Sequence, residues 1–228
     1  MSDKIAIFYH VGQINHWRDV YQEQLRKLFL SGLYDASQFI FCCINGNDPL
    51  PLPTPDKIIS VRNNNHTLEA DTLKHMWDFA SVNPGYKILY IHTKGVTWAE
   101  DSGIDDVTTK WRRFMEGYVI RRWKECVIHL DTHDTCGVLY KDKAYYNPGT
   151  PDYTILDANY YDGNFWWATS DYIATLDPNY LYTSDTPWLR GKSELWIGTQ
   201  KPNAHVMYNI EYINPYHDCD FGDANEYR

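Results

Sequence analysis

The chain has 228 residues, 30 of them acidic and 21 basic, for a net charge of -9. That length suffices for one domain with a substantial core, and that charge excludes a general nucleic-acid binder, which needs a clustered basic face to neutralise phosphates. The apolar runs fall far short of the roughly 20 residues a membrane helix needs, and the first residues lack the apolar segment of a signal peptide, so a soluble, cytoplasmic chain is expected.

Residues 4–10, an apolar run closing on His10, predict a buried strand, and Trp17, Val20, Tyr21, Leu25, Leu28 and Phe29 then recur at helical spacing up to Gly32. A second strand is expected over 39–45. Cys42 and Cys43 serve there as small apolar residues, and five cysteines in all, an odd number, make no disulfide framework, which fits a reducing compartment. A proline-rich loop over 49–55 precedes a third strand at 57–61. A helix over 67–82, with Leu68, Thr72, Met76 and Phe79 on one face, turns at Pro84-Gly85 into a strand over 86–91.

Strands alternating with helices in this way predict an α/β fold: an open, mostly parallel central sheet flanked by helices. Such sheets bind ligands in the crevice outside the carboxyl ends of their strands, where His10, Arg62, Asn63 and the stretch 92–95 fall. Further on, a second long helix is expected over 111–130, a strand over 135–140, short strands over 164–168 and 205–208, and the opening of a helix over 193–198. No repeat or linker divides the chain, so 1–228 reads as one domain, with a tail over 215–228 that is either loosely packed or leads to a further module.

Polar and cationic residues directly after the strand at 86–91 place charge in the expected crevice. Lys94 either pairs with a diphosphate or is solvated beside a turn at Gly95, and His92 either donates to phosphate or is a satisfied structural histidine. Among Lys110, Arg112, Arg113, Arg121, Arg122 and Lys124, most form a solvated helix face; Arg112 or Arg113 is better placed for a second phosphate contact, since guanidinium binds phosphate through paired donors. Asp162-Gly163-Asn164-Phe165-Trp166-Trp167 joins a carboxylate, a permissive glycine, an amide and two large aromatics. Alternation along a strand would send one Trp into the core and turn the other outward, toward an acceptor subsite. Glu194 is either a general base or a residue that complements the dipole of a helix start.

His129, Asp131, His133 and Asp134 match no zinc spacing, and Asp218, Asp220 and Asp223 lack the rest of a calcium loop; both groups read as surface polar residues, and no metal site is expected. The absence of a nucleophile elbow, a Walker loop and a Gly-x-Gly-x-x-Gly fingerprint weighs against hydrolase, ATPase and dehydrogenase functions.

Taken in order, Tyr90-Ile91-His92-Thr93-Lys94-Gly95, Trp111-Arg112 and Gly163-Asn164-Phe165-Trp166-Trp167-Ala168 resemble the pattern of GT-A-type glycosyltransferases related to rhamnan synthesis protein F and to glycosyltransferase domains of chlorella viruses. The resemblance implies a single GT-A-like domain, a nucleotide-diphosphate sugar donor such as a UDP-sugar, a glycan or glycoprotein acceptor, L-rhamnose as a candidate for the transferred sugar and, for a viral source, the host cytoplasm. One departure matters: the Asp-x-Asp metal motif of such enzymes is missing where this chain reads Ile91-His92-Thr93-Lys94. No cofactor is then obligatory. Manganese or magnesium is allowed but not expected, with Lys94 and His92 supplying the positive charge that a cation otherwise gives the leaving diphosphate.

The resemblance places His10, Val11, Arg62, Asn63, Asp71 or Glu69, His92, Thr93, Lys94 and Arg112 around the donor, and Asp162, Asn164, Trp166 and Trp167 on the acceptor side. It implies an inverting, in-line displacement in which Glu194, with Asp162 as second candidate, takes the proton of the acceptor hydroxyl while Lys94 and Arg112 stabilise the departing diphosphate. The alternative is a non-catalytic carbohydrate-binding module that uses the Trp and Tyr residues; a nucleotidyltransferase is a third reading.

Overall fold

The computed structural model describes residues 3–51, 56–64, 66–98, 104–146, 154–183, 189–210 and 221. Strands β1 (Lys4–Gly12), β2 (Phe39–Asn45), β3 (Ile58–Arg62) and β4 (Tyr86–His92) are parallel, and between them run α1 (Trp17–Leu30), the single turn α2 (Leu33–Ala36) and α3 (Ala70–Val82). The chain continues through α4 (Ile104–Glu116), a π-helical turn at Gly117–Arg121, α5 (Trp123–His129) and β5 (Thr135–Val138). It then forms β6 (Tyr140–Tyr146), β7 (Thr154–Tyr161), β8 (Trp166–Thr169), α6 (Ser170–Ile173), α7 (Leu189–Leu195) and β9 (Ala204–Tyr208).

Seven strands make one sheet in the order β3-β2-β1-β4-β8-β5-β9, while β6 and β7 pair as a separate antiparallel ribbon. Within the sheet β8 alone, among the described residues, runs against its neighbours β4 and β5. From β1 the chain steps to β2 and β3 on one side and then crosses to β4 on the other. The carboxyl ends of β1 and β4 therefore flank a topological switch point, where the connecting segments diverge and leave a crevice.

Both faces of this sheet are covered, which is why its strands read as continuous apolar runs. Ile5, Ile7, Tyr9 and Val11 of β1 join one core with Trp17, Val20, Tyr21 and Leu28 of α1. Ala6 and Phe8 join the other with Leu73, Met76 and Ala80 of α3. The same two-sided cover corrects the expectation for the tryptophan pair. Trp167 packs into the first core and Trp166 into the second, both fully buried, with indole hydrogens given to the Val119 carbonyl and the Asn164 side chain at 2.8 Å each.

Other differences are local. The helix expected over 111–130 begins earlier, at Ile104, and is broken by the π-helical turn before α5. Leu139, at φ 58°, stands between β5 and β6 and turns the chain from one into the other. The β6–β7 ribbon has no apolar run to announce it, since Lys141, Asp142 and Lys143 sit in its first strand. Of the tail, Phe221 is described: its ring is buried and stacks on Trp111 at 5.8 Å. Asp218, Asp220 and Asp223 lie outside the described residues. Among those residues no helix is long and apolar enough to cross a membrane.

Candidate functional site

Residues from three strand ends and the start of α3 enclose a cavity of about 270 Å³ at the switch point, near the lower end of small-molecule sites. His10 and His92 face each other there as register partners on β1 and β4, two residues beyond Phe8 and Tyr90 on the same face of the sheet. Thr93 ties the two strands together, its hydroxyl accepting the Gly12 N–H at 2.9 Å.

Burial lowers the pKa of both histidines, that of His92 to about 4, against the pull of Glu69 in each case. Both are therefore neutral near pH 7, which corrects the expectation that His92 brings positive charge. His92 donates from Nε2 to the Gly163 carbonyl at 2.9 Å, leaving Nδ1 as an acceptor. Thr72 Oγ1 accepts from Asn63 Nδ2 at 2.8 Å and lies 2.9 Å from His10 Nδ1, so the His10 ring is held by a hydrogen bond through Nδ1.

Two ionic side chains share the cavity wall with these imidazoles. Lys94 is only 4% exposed, with its ammonium 3.6 Å from the centre of the Trp111 ring, a desolvated cation–π contact that fixes where the charge sits. Glu69, 7% exposed, accepts on Oε2 from the Tyr90 hydroxyl at 2.7 Å and from Asn164 Nδ2 at 2.8 Å. Asn164 belongs to the turn that brings the chain from β7 into β8, where Gly163 and Asn164 take φ of 89° and 59°. Gly163 is required twice over. A Cβ on it would lie 2.6 Å from Met115 Sδ, and its φ favours glycine. Half-buried Asp162 precedes it in the chain.

The structure gathers His10, His92, Thr93 and Lys94 around one cavity and adds Glu69, which sequence reasoning offered only as a substitute for Asp71. A lone Glu at a helix start reads as a partner of the helix dipole, so only the donors from Tyr90 and Asn164 reveal its place. Asn63 backs His10 through Thr72.

The remaining candidates serve elsewhere. Val11 is core. Arg62 holds the loop after β2 through the carbonyls of Gly46 and Asp48, at 2.5 and 2.9 Å. Asp71 accepts from the Asn64 N–H at 2.8 Å and the Tyr182 hydroxyl at 2.9 Å. Glu194 sits in the last turn of α7 rather than at a helix start, and its charge contributes, after burial and Glu69, to raising the Tyr90 pKa.

Arg112 is also committed, 2% exposed beneath the cavity. Its guanidinium donates to the Lys94 carbonyl at 3.0 Å and to Glu23 at 3.1 Å, and lies 3.5 Å from Glu116. Glu116, fully buried, also takes Lys27 and, at 2.7 Å, Gln24, whose amide reaches the His92 carbonyl at 3.1 Å. Burial opposes ionisation of Glu23, but Arg113, Arg112 and Lys27 outweigh it and hold the carboxyl down at about 2. Arg112 thus positions the Lys94 backbone instead of facing the cavity.

A family model described as "Domain of unknown function (DUF8361)" matches residues 42–207, from within β2 to within β9. Comparison with curated proteins found no match.

Proposed function

The chain belongs to the DUF8361 family, and we propose that it is a GT-A-like glycosyltransferase that binds a nucleotide-diphosphate sugar in the crevice between β1 and β4. One observation carries this reading: a buried ammonium stands beside two neutral imidazoles and a carboxylate at the switch point of an open α/β sheet, where such sheets bind nucleotides. Lys94 is the charge that meets the diphosphate, in place of a cation on an Asp-x-Asp pair. His10 offers a neutral hydrogen-bonding imidazole, and Glu69 accepts from ribose or sugar hydroxyls.

Transfer is a single displacement. The acceptor hydroxyl oxygen bonds to the anomeric carbon, the bond from that carbon to the diphosphate oxygen breaks with its electron pair leaving on the diphosphate, and the hydroxyl proton passes to a carboxylate. Asp162 is the preferred base, because it adjoins Gly163, the partner of His92; Glu194 is the second candidate. L-rhamnose remains the candidate sugar. A glycan-binding module with no catalysis finds less support, since Trp98 is the only exposed tryptophan among the described residues.

Calorimetric titration with UDP, GDP and dTDP, first in EDTA and then with manganese, tests the reading when repeated on Lys94→Ala. Binding of one nucleotide in EDTA that is lost in the variant supports it. Absence of nucleotide binding under both conditions overturns it and favours the glycan-binding module.

A further inference from the structure

At the opposite pole of the sheet three imidazoles converge from two separated segments. His129 closes α5, His133 lies in the turn that follows, and His205 is the second residue of β9. Both β5 and β9 begin at this pole, whereas the crevice lies at strand carboxyl ends. The rings of His129 and His205 stack at 3.4 Å between centroids, and that of His133 stands across His205 at 5.2 Å. Each offers a ring nitrogen, and the three nitrogens all lie within 4.8 Å of one another.

From this convergence we infer that the three histidines form a binding site for a divalent metal of the zinc class, clipping the end of α5 to the edge strand β9. Imidazole suits such borderline metals, and three protein ligands leave a fourth position for water. Tetrahedral zinc holds ligand nitrogens about 3.3 Å apart, so closure draws the nitrogens in by up to about 1.5 Å. It also rotates the His129 and His205 rings, stacked 12° from parallel, until their in-plane lone pairs converge, a side-chain movement at half-buried positions.

Two features prepare the site. His133 Nδ1 lies 3.1 Å from the His129 carbonyl, and donating to it leaves the Nε2 lone pair for the metal, the outer-shell arrangement that orients histidine ligands. The two segments are also pinned together without any metal: Asn203 donates from its backbone to Asp134 at 2.8 Å and from its side chain to the Thr132 carbonyl at 3.0 Å. Ligands brought together on a scaffold that is already folded cost little ordering when the metal arrives.

The test uses the full chain, carrying no histidine tag and stripped of metal. Zinc is titrated against a chromophoric chelator, and cobalt(II) is added separately to read its tetrahedral visible bands. The wild type is compared with His205→Gln, His133→Gln and, as a control at an exposed distant site, His66→Gln. One zinc per chain is expected in the wild type and the control. Either ligand variant should lose at least the 10–100-fold in affinity that even outer-shell changes cost, together with the cobalt bands.

A thermal melt in EDTA shows that each variant is folded. Zinc at about a hundredfold excess over its Kd should raise the wild-type Tm by about 5–10 °C and leave the ligand variants unmoved. Failure of the wild type to bind zinc, or binding unchanged in both ligand variants, overturns the site.

Discussion

Lowering the pH from about 7 to about 4.5 leaves His92 neutral in the folded chain and protonates it once the chain unfolds. The folded value is about 4 against an ordinary 6.5, because burial disfavours the imidazolium and nearby Lys94 repels it, more than Glu69 and the Gly163 carbonyl favour it. Between those two values the unfolded chain binds more protons than the folded one, so stability falls as pH falls. The contribution is complete above 6.5 and is lost progressively toward 4. A gap of about 2.5 pH units at about 1.4 kcal/mol each amounts to about 3.5 kcal/mol in full, of which about 2.5 kcal/mol is lost between pH 7 and 4.5.

Urea unfolding midpoints at a series of pH values, for the wild type and His92→Gln, read this out. Glutamine can still donate to the Gly163 carbonyl but takes up no proton. His10, also lowered by burial, titrates in both proteins, and its coupling to His92 is the smallest of the causes acting on that ring. The stability difference between the two should shift between pH 7 and 4.5 by about 2.5 kcal/mol in favour of the variant. Curves that run parallel from pH 7 to 4.5 would refute the burial of a neutral imidazole in the crevice.

Glu116→Gln, read by chemical denaturation, should cost about 3 kcal/mol, because it leaves the buried cations Lys27 and Arg112 with Glu23 in place of the two carboxylates they share. Gly163→Ala should cost about 2–4 kcal/mol, from the positive φ and from the clash with Met115, and should weaken nucleotide binding by displacing the acceptor of His92; an alanine variant of wild-type stability would contradict this. Glu23 gives a second acid signature. Its carboxyl sits at about 2, so the stability it provides is present above about 4.5 and lost as pH falls toward 2, and Glu23→Gln should flatten the unfolding profile in that window. Gly198→Ala should be among the most destabilising single-methyl additions, since a Cβ there would fall 1.4 Å from the Asn159 carbonyl oxygen of β7, and it should yield little folded protein on expression.

The first half of the chain was readable because its strands are long, apolar and separated by amphipathic helices, so the parallel strands and the crevice at their carboxyl ends follow from pattern alone. Lys94, His10 and His92 were expected together because all three fall at strand ends, and the structure brings them to one cavity. What stayed hidden depends on contacts distant in sequence. Nothing in the residues around Arg112 marks it as the partner of Glu23 and Glu116, nor does Glu69 advertise Tyr90 and Asn164. The tryptophan pair was misjudged because alternation tells which side of a strand a residue faces, but not whether that side is covered. The histidine cluster escaped because His205 lies 72 residues beyond His133 in the numbering, and only the β5–β9 pairing unites them.

The reversal of β8 bears on the order in which the molecule comes into being. The crevice wall closes through the bonds from His92 to Gly163 and from Asn164 to Glu69, which join residues 71 and 95 positions apart. At ordinary rates of synthesis, a ribosome that has finished β4 needs on the order of several seconds more to produce the turn that completes that wall. Until then a nascent chain holds half a pocket, with an unclosed carboxylate and an imidazole lacking its acceptor. The closed crevice thus arrives late in synthesis, and a truncated product ending before β8 would carry the strand ends without the wall that Gly163 and Asn164 complete.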